Sequence, residues 1–342
     1  MGATPELPIG IPTLCAATPA ATVPEAIDVS MRGHVFPTIP LTIDPAGSLL
    51  AQASTAFEGV HPVGPGAIRV NTTEFGFSPD AATRLDAPAF DAFNGALAAW
   101  PSIAAESAPM AVRTEMVGPV SLALILAEAG LDLPAAMDAA RVATVYRAEA
   151  IVAAVRKVEP SLPVAVVLDE HRLVGSMHPT FPLGVKQVRS LLDPAVDAID
   201  VAAGASPVLI GIHVPGRSDW RTIISSGVSL VSMPADASVA GYAEWVQALL
   251  DNGGWIAWGA VPVDRPLGSS AELLWRHLVA TWRDLEIAGV DGELLRQRSM
   301  VSPSDDLARF DMSQITMMVD LVDSLAGRIS ATAPRAPVST GT

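Results

Sequence analysis

Short runs of apolar and β-branched residues alternate along the chain with amphipathic stretches, and Gly, Pro or an acidic residue repeatedly marks the boundary. The runs at 110–116 (MAVRTEM), 164–168 (VAVVL), 208–212 (VLIGI), 228–232 (VSLVS), 255–261 (WIAWGAV) and 298–301 (RSMV) are largely apolar at successive positions rather than alternating. That is the composition of strands covered on both faces in a parallel sheet. Helical patterns follow most of them: 120–130 stopping at Gly130, a long window from about Pro134 to Pro160, 219–225, 240–250 stopped by Asn252-Gly253-Gly254, 270–288 capped by Ser269 or Ser270, and 311–329. Such βα repetition predicts an α/β fold, either an open doubly wound sheet or a closed eight-stranded (β/α)8 barrel. No G-x-G-x-x-G follows the first strands, so the fingerprint of a dinucleotide-binding open sheet is missing and the barrel is expected.

The N-terminal third is less regular. It offers strands at 13–17 and 67–72, with a Pro- and Gly-rich stretch between them, 34–66, that reads as long loops around a helix near 48–57. This stretch is expected to elaborate one mouth of the barrel. The layout favours a single domain over 1–330, and the Pro/Thr/Ala-rich segment 331–342 is expected to be a disordered tail.

Composition narrows the partners. Of 342 residues 50% are hydrophobic and 17% charged, which fits a large core and excludes the disordered class. The formal net charge of −15, with Lys157 and Lys186 the sole lysines, opposes binding to nucleic acid or to an anionic membrane surface. The one cysteine, Cys15, rules out an internal disulfide and a thiolate-rich zinc cage, and it reads as an inert buried thiol. The start of the chain lacks the basic and apolar regions of a signal peptide, so a reducing, cytoplasmic setting is expected. A small-molecule ligand is the expected partner, with a protein partner or a homo-oligomer open.

In a parallel barrel the strand C-terminal ends converge on one face, and the loops that follow build the active site. The residues there are Arg113 and Glu115, Asp169-Glu170-His171-Arg172, His213, Asp264-Arg265 and Ser304-Asp305-Asp306. Asp169 and Glu170 form a carboxylate pair suited to orienting a cation or an imidazole that transfers a proton. Acidic residues in such places also cap helices and hold turns, and a lone His213 is equally at home as a packed, hydrogen-bonded residue. The six histidines show neither H-x-H nor H-E-x-x-H, and G-x-S-x-G is absent. The tryptophans Trp255, Trp258, Trp275 and Trp282 read as packing residues.

Taken in order, VRTEMVGPVSLAL (112–124), VVLDEHRL (166–173), IGIHVPG (210–216), WGAVPVDR (258–265) and MVSPSDDLA (300–308) resemble the cobalamin-independent methionine synthase family. The likeness is to short, single-barrel relatives of its C-terminal catalytic half, which belong with uroporphyrinogen decarboxylase to one barrel superfamily. The resemblance spans about 12–329. It implies a zinc ion held by a His-x-Cys pair, an acidic residue and a second Cys, which activates a homocysteine thiolate for methyl transfer from a folate. Here the matched positions are His213, Pro215, Pro234 and Asp305. Three of the four ligands differ from that set, so no zinc, and no other metal, is expected; folate is the co-substrate the family would imply.

Two functions follow as expectations. One is metal-free group transfer or decarboxylation on a small polar, amino-acid- or thiol-related substrate. His213, His171 and Asp169 are then catalytic, and Glu170, Asp264, Glu115 and Asp305 hold the substrate. The alternative is a catalytically inactive pseudoenzyme that serves as a binding or partner subunit.

Overall fold

The computed structural model describes residues 4–64, 66–264 and 270–332. Its centre is a seven-stranded sheet in the order β1-β11-β10-β9-β8-β7-β6, every neighbour parallel. These strands are β1 (Ile11–Pro12), β6 (Val112–Val117), β7 (Val164–Asp169), β8 (Val208–His213), β9 (Leu230–Pro234), β10 (Trp255–Val261) and β11 (Ser299–Pro303). Two antiparallel pairs lie outside it, β2 (Phe57–Glu58) with β5 (Gly76–Phe77) and β3 (Val60–Gly64) with β4 (Ala67–Val70). The strand expected at 67–72 therefore forms, but as half of a hairpin rather than in the main sheet. Its outward positions are exposed, which a fully covered parallel strand does not allow.

The sheet is curled, and the parity of its side chains shows it. Ala165 and Val167 of β7, Leu209 of β8, Leu230 of β9, Trp255 and Ala257 of β10 and Met300 of β11 pack with Ile11 and Phe36 into an inner cluster. The intervening residues, among them Val164, Val166, Leu168, Ile210, Ile212, Val231 and Ile256, belong to the larger cluster shared with the helices. Each strand is thus buried on both faces, which is why its sequence is apolar without alternation.

Residues 35–41 run between the two outer strands. Leu41 N–H donates to the Ala16 carbonyl at 2.7 Å on the β1 side, and Ile39 N–H to the Arg113 carbonyl and Arg113 N–H to the Pro37 carbonyl, both at 2.8 Å, on the β6 side. The pairing appears as isolated parallel bridges, Ala17 with Leu41 and Thr38 with Arg113. Pro37 and Pro40 explain this, because a proline cannot donate to a ladder. Within the expected loop region the described residues form a short 3-10 turn (Pro45–Gly47) and the helix α2 (Leu49–Ser54), with Ser48 Oγ capping the Ala51 N–H.

The connecting helices match the sequence pattern closely. They include α5 (Pro119–Glu128), α6 (Leu133–Val158), α8 (Trp220–Ile224), α9 (Ala243–Asp251), α10 (Ala271–Ile287) and α12 (Met312–Thr332). Pro119 and Pro134 stand in first turns, where no intrahelical N–H is needed. Helices α4 (Asp91–Ser107) and α7 (Val185–Ala203), which the sequence pattern does not predict, carry Pro101 and Pro194 inside them, and the shorter α1 (Val23–Ser30), α3 (Pro79–Thr83) and α11 (Gly292–Gln297) complete the set among the described residues. Trp255, Trp258 and Trp282 are fully buried, as packing residues should be. The segment expected as a tail is helical to Thr332; its remainder, and Arg265, lie outside the described residues.

Candidate functional site

Strand register brings the chemistry together. Asp169 at the end of β7 pairs with His213 at the end of β8, and His213 with Ser232 of β9. All three share the parity of the inner cluster, so their side chains face the space at the C-terminal mouth of the sheet. Glu115 on β6 faces the same way, and Asp305 and Asp306 follow β11. The mouth holds a cavity of about 620 Å³, within the range of small-molecule sites. Its polar lining includes Glu115, Ser121, Asp169, His171, His213, Asp305, Asp306 and Arg309, and its apolar wall Leu41, Ile43, Leu49, Leu50, Val117 and Ile125. The 41–50 segment, with α2, thus walls the mouth without filling it.

The polar groups form a connected set. His171 Nδ1 lies 2.5 Å from Asp169 Oδ1, and His171 Nε2 lies 2.8 Å from Asp305 Oδ1. Burial alone would lower the imidazole's proton affinity, but the charges and hydrogen bonds of Asp169 and Asp305 outweigh it and lift the pKa to about 11. In Asp305 burial is likewise outweighed, by the hydrogen bonds and charge of its histidine neighbours, and the carboxyl falls far below the usual range. Burial and the charge of Asp305 push Asp306 the other way, upward.

His213 is different. Its Nδ1 is 2.8 Å from Ser232 Oγ, while Nε2 is buried and has no hydrogen-bond partner; the nearest carboxylate oxygen, Asp305 Oδ1, is 3.9 Å away. With Nδ1 donating to Ser232, Nε2 is left as a bare acceptor just beneath the cavity wall.

The remaining candidates divide. Glu115 lines the cavity, but both its oxygens are engaged: Oε1 accepts from Arg113 Nη2 and Nε, and Oε2 from the Ala16 N–H. Glu170 does not line the cavity. It is fully buried beneath the start of α5, accepting from Val120 N–H at 2.9 Å and Ser121 N–H at 2.7 Å. Burial raises its pKa to about 7, against the lowering effect of those bonds. Asp264 lines a neighbouring cavity of about 520 Å³, which meets the first at Asp305 and Arg309.

Three contributors escaped the sequence reading. Cys15 is buried as expected but lies in the cavity wall, its thiol pKa raised by burial and then by Glu115. Arg309 stands four residues after Asp305 in the loop beyond β11, 3.9 Å from its Oδ2, and Ser232 orients His213. The β9 run VSLVS does signal Ser232, since a serine at the inward parity of an apolar strand needs a partner.

Two overlapping groups, Asp169/His171/His213 and His171/Asp305/Asp306, have donor atoms within 4.8 Å of one another. They do not fit the zinc centre that the sequence resemblance implies. That centre needs two thiolates, whose matched positions hold Pro215 and Asp305, and an acidic ligand, whose position holds Pro234; a proline has no side-chain donor. The arrangement is a degenerate metal-site-like cluster on a barrel-like fold, able to receive a small polar molecule. Among the described residues no helix is long and apolar enough to cross a membrane. No family model matches the chain, and no curated protein matches it either.

Proposed function

We propose that the chain is a single-domain, closed (β/α)8 barrel, related to the catalytic half of the cobalamin-independent methionine synthases, in which segment 35–41 takes the eighth strand position. We further propose that the mouth cavity carries out metal-free chemistry on a small polar molecule, decarboxylation or group transfer, with His213 as the proton-transfer group. The observation that carries this reading is the buried, partnerless Nε2 of His213, a residue in the wall of a cavity of about 620 Å³. In a decarboxylation the bond to the carboxyl carbon breaks, CO2 leaves with the carboxylate oxygens, and the electron pair remains on the former α-carbon. His213, after taking up a proton from water at Nε2, delivers it to that carbon and is returned to its neutral form. His171, held charged by Asp169, serves this reading as a fixed positive group rather than as a base.

A second reading, a binding subunit without chemistry, is favoured by the saturation of the other polar groups: both nitrogens of His171 and both oxygens of Glu115 already have protein partners. A thermal-shift screen over amino acids, thiols, folates and tetrapyrroles, followed by product analysis with each hit, separates the two. The enzymatic reading expects a hit that is chemically changed by the wild type, and bound but unchanged by His213→Asn. A hit that stabilises the protein and is returned intact establishes the binding subunit instead.

A further inference from the structure

The second cavity, of about 520 Å³, has no part in the chemistry proposed above. It lies over the ends of β8, β9, β10 and β11, and among the described residues it shares only Asp305 and Arg309 with the first. Its rim is tied together by the backbone. Ser304 N–H donates to the Val261 carbonyl at 2.8 Å, and Ser304 Oγ accepts from Val263 N–H at 3.1 Å, so the loops after β10 and β11 are held to each other. Gly259 permits that approach, because a Cβ there would lie 2.7 Å from Ser304 Cα.

Two guanidiniums enter the lining from separate loops, Arg217 after β8 and Arg309 after β11. Arg217 Nη2 lies 3.6 Å from Asp236 Oδ2, and Arg309 Nη2 lies 3.9 Å from Asp305 Oδ2, both outside hydrogen-bond distance. On the outer surface Arg32, Arg172 and Arg328 behave otherwise, each holding a carboxylate at 2.7 Å. The two acids in the cavity have closer donors of their own. Asp236 Oδ1 accepts from Ser238 N–H at 2.7 Å, and Asp305 Oδ1 lies 2.8 Å from both His171 Nε2 and the Asp306 N–H. The arginines therefore keep their forked N–H groups for a guest. Val239, Val263, Leu273 and Leu274 supply an apolar wall beside them.

We propose that this cavity is a second ligand site, which takes a small molecule with an apolar body and one oxyanion, a carboxylate or a phosphate ester, recognised by Arg217 and Arg309. Guanidinium N–H groups match the oxygens of either anion, and a charge-assisted bond of this kind is about twice as strong as a neutral one. The guest carries a single anionic group rather than many. Asp236, Asp264 and Asp305 also line the cavity, and the chain as a whole has a formal net charge of −15, so a polyanion is repelled while one group at short range is not.

The proposal reaches beyond the proton-transfer reading and does not depend on it. The probes are benzoate and phenyl phosphate, with benzylamine as a cation of the same body, titrated calorimetrically at low ionic strength, where a charge contact is least screened. At least one anion should bind the wild type with a Kd below about 1 mM and more tightly than benzylamine, and the tighter of the two tells carboxylate from phosphate. Arg217→Gln and Arg309→Gln should each weaken that anion by at least about fivefold. Both side chains are mostly exposed, so both variants should fold; should either fail, Leu273→Trp, which narrows this cavity and not the first, decides by the same threshold. The proposal is overturned if neither anion binds below about 1 mM, if benzylamine binds as tightly, or if a folded variant binds within about fivefold of wild type. His213→Asn should bind the anion as wild type does, so loss of the proposed reaction and loss of this site are told apart.

Discussion

Glu170 shows how one residue can look like substrate chemistry in a sequence and act as architecture in the fold. Beside Asp169 it reads as half of a carboxylate pair, yet its chain turns away from the cavity and closes the N-terminus of α5 with two backbone hydrogen bonds. The helix dipole favours an anion there. Gly118 is required by the same contact, because a Cβ at that position would sit 2.2 Å from the Glu170 carboxyl carbon. Glu170→Ala therefore strands two buried N–H groups and should lower the unfolding free energy by about 2 kcal/mol. Gly118→Ala should cost about 1–3 kcal/mol by overpacking. Urea denaturation at neutral pH reads both; if either variant matches the wild-type midpoint, this account of the α5 terminus is wrong. The consequence for the site is indirect but specific, since the loop that Glu170 pins carries Asp169 and His171, and the Ser121 hydroxyl accepts the Arg172 N–H from that loop at 3.1 Å.

At the scale of elements, what was legible followed from composition, and what was not followed from proline. Strands β6 to β11 and helices α5, α6, α8, α9, α10 and α12 declare themselves through apolar runs and capped amphipathic windows, whereas α4 and α7, interrupted by Pro101 and Pro194, do not. Segment 35–41 does not, since Pro37 and Pro40 erase the strand signature while the backbone still bonds to Arg113 of β6 on one side and to Ala16 and Thr18, just beyond β1, on the other. Likewise the mouth residues Asp169, His171, His213 and Asp305 were legible as strand endings, whereas Cys15 and Arg309 were not, because nothing local in the chain marks a residue as facing a cavity across the sheet. The wall formed by α2 depends on a distant side chain. Arg147 of α6 donates to the Gln52 and Arg84 carbonyls and to Thr55 Oγ1, with its guanidinium 4.5 Å over the Phe90 ring. It meets the C-terminal end of α2, where the dipole favours a cation. Arg147→Met keeps the volume and removes the donors, so it should destabilise the protein by about 1–3 kcal/mol. Amide exchange should rise first across α2. Uniform exchange at wild-type rates over that helix would show that its position does not rest on Arg147.

For the whole molecule, the buried ionisable groups set the pH dependence of stability. Asp305 is held below its unfolded pKa of about 3.9, so its contribution is present above that value and is lost as pH falls through the folded value. Glu170 is raised to about 7, so the folded state binds the extra proton and stability declines as pH rises from about 4.3 to 7. His171 is raised to about 11; its contribution is complete below its unfolded value of about 6.5 and is lost progressively as pH climbs toward 11. The three signs together place maximum stability in mildly acidic solution, about pH 4–6, with a fall through neutrality and a continued fall under alkaline conditions. His171→Gln keeps a ring-sized polar side chain without a titrating group, so it should flatten the profile between about pH 7 and 10 while leaving the Glu170 decline below 7 in place. Glu170→Gln should do the converse. Chemical-denaturation midpoints at half-unit steps from about pH 4 to 10 resolve the two slopes. A wild-type profile that rises between pH 7 and 10 would mean that the charge at the barrel mouth is not carried by His171, and with it would go the reading of this residue as a fixed positive group.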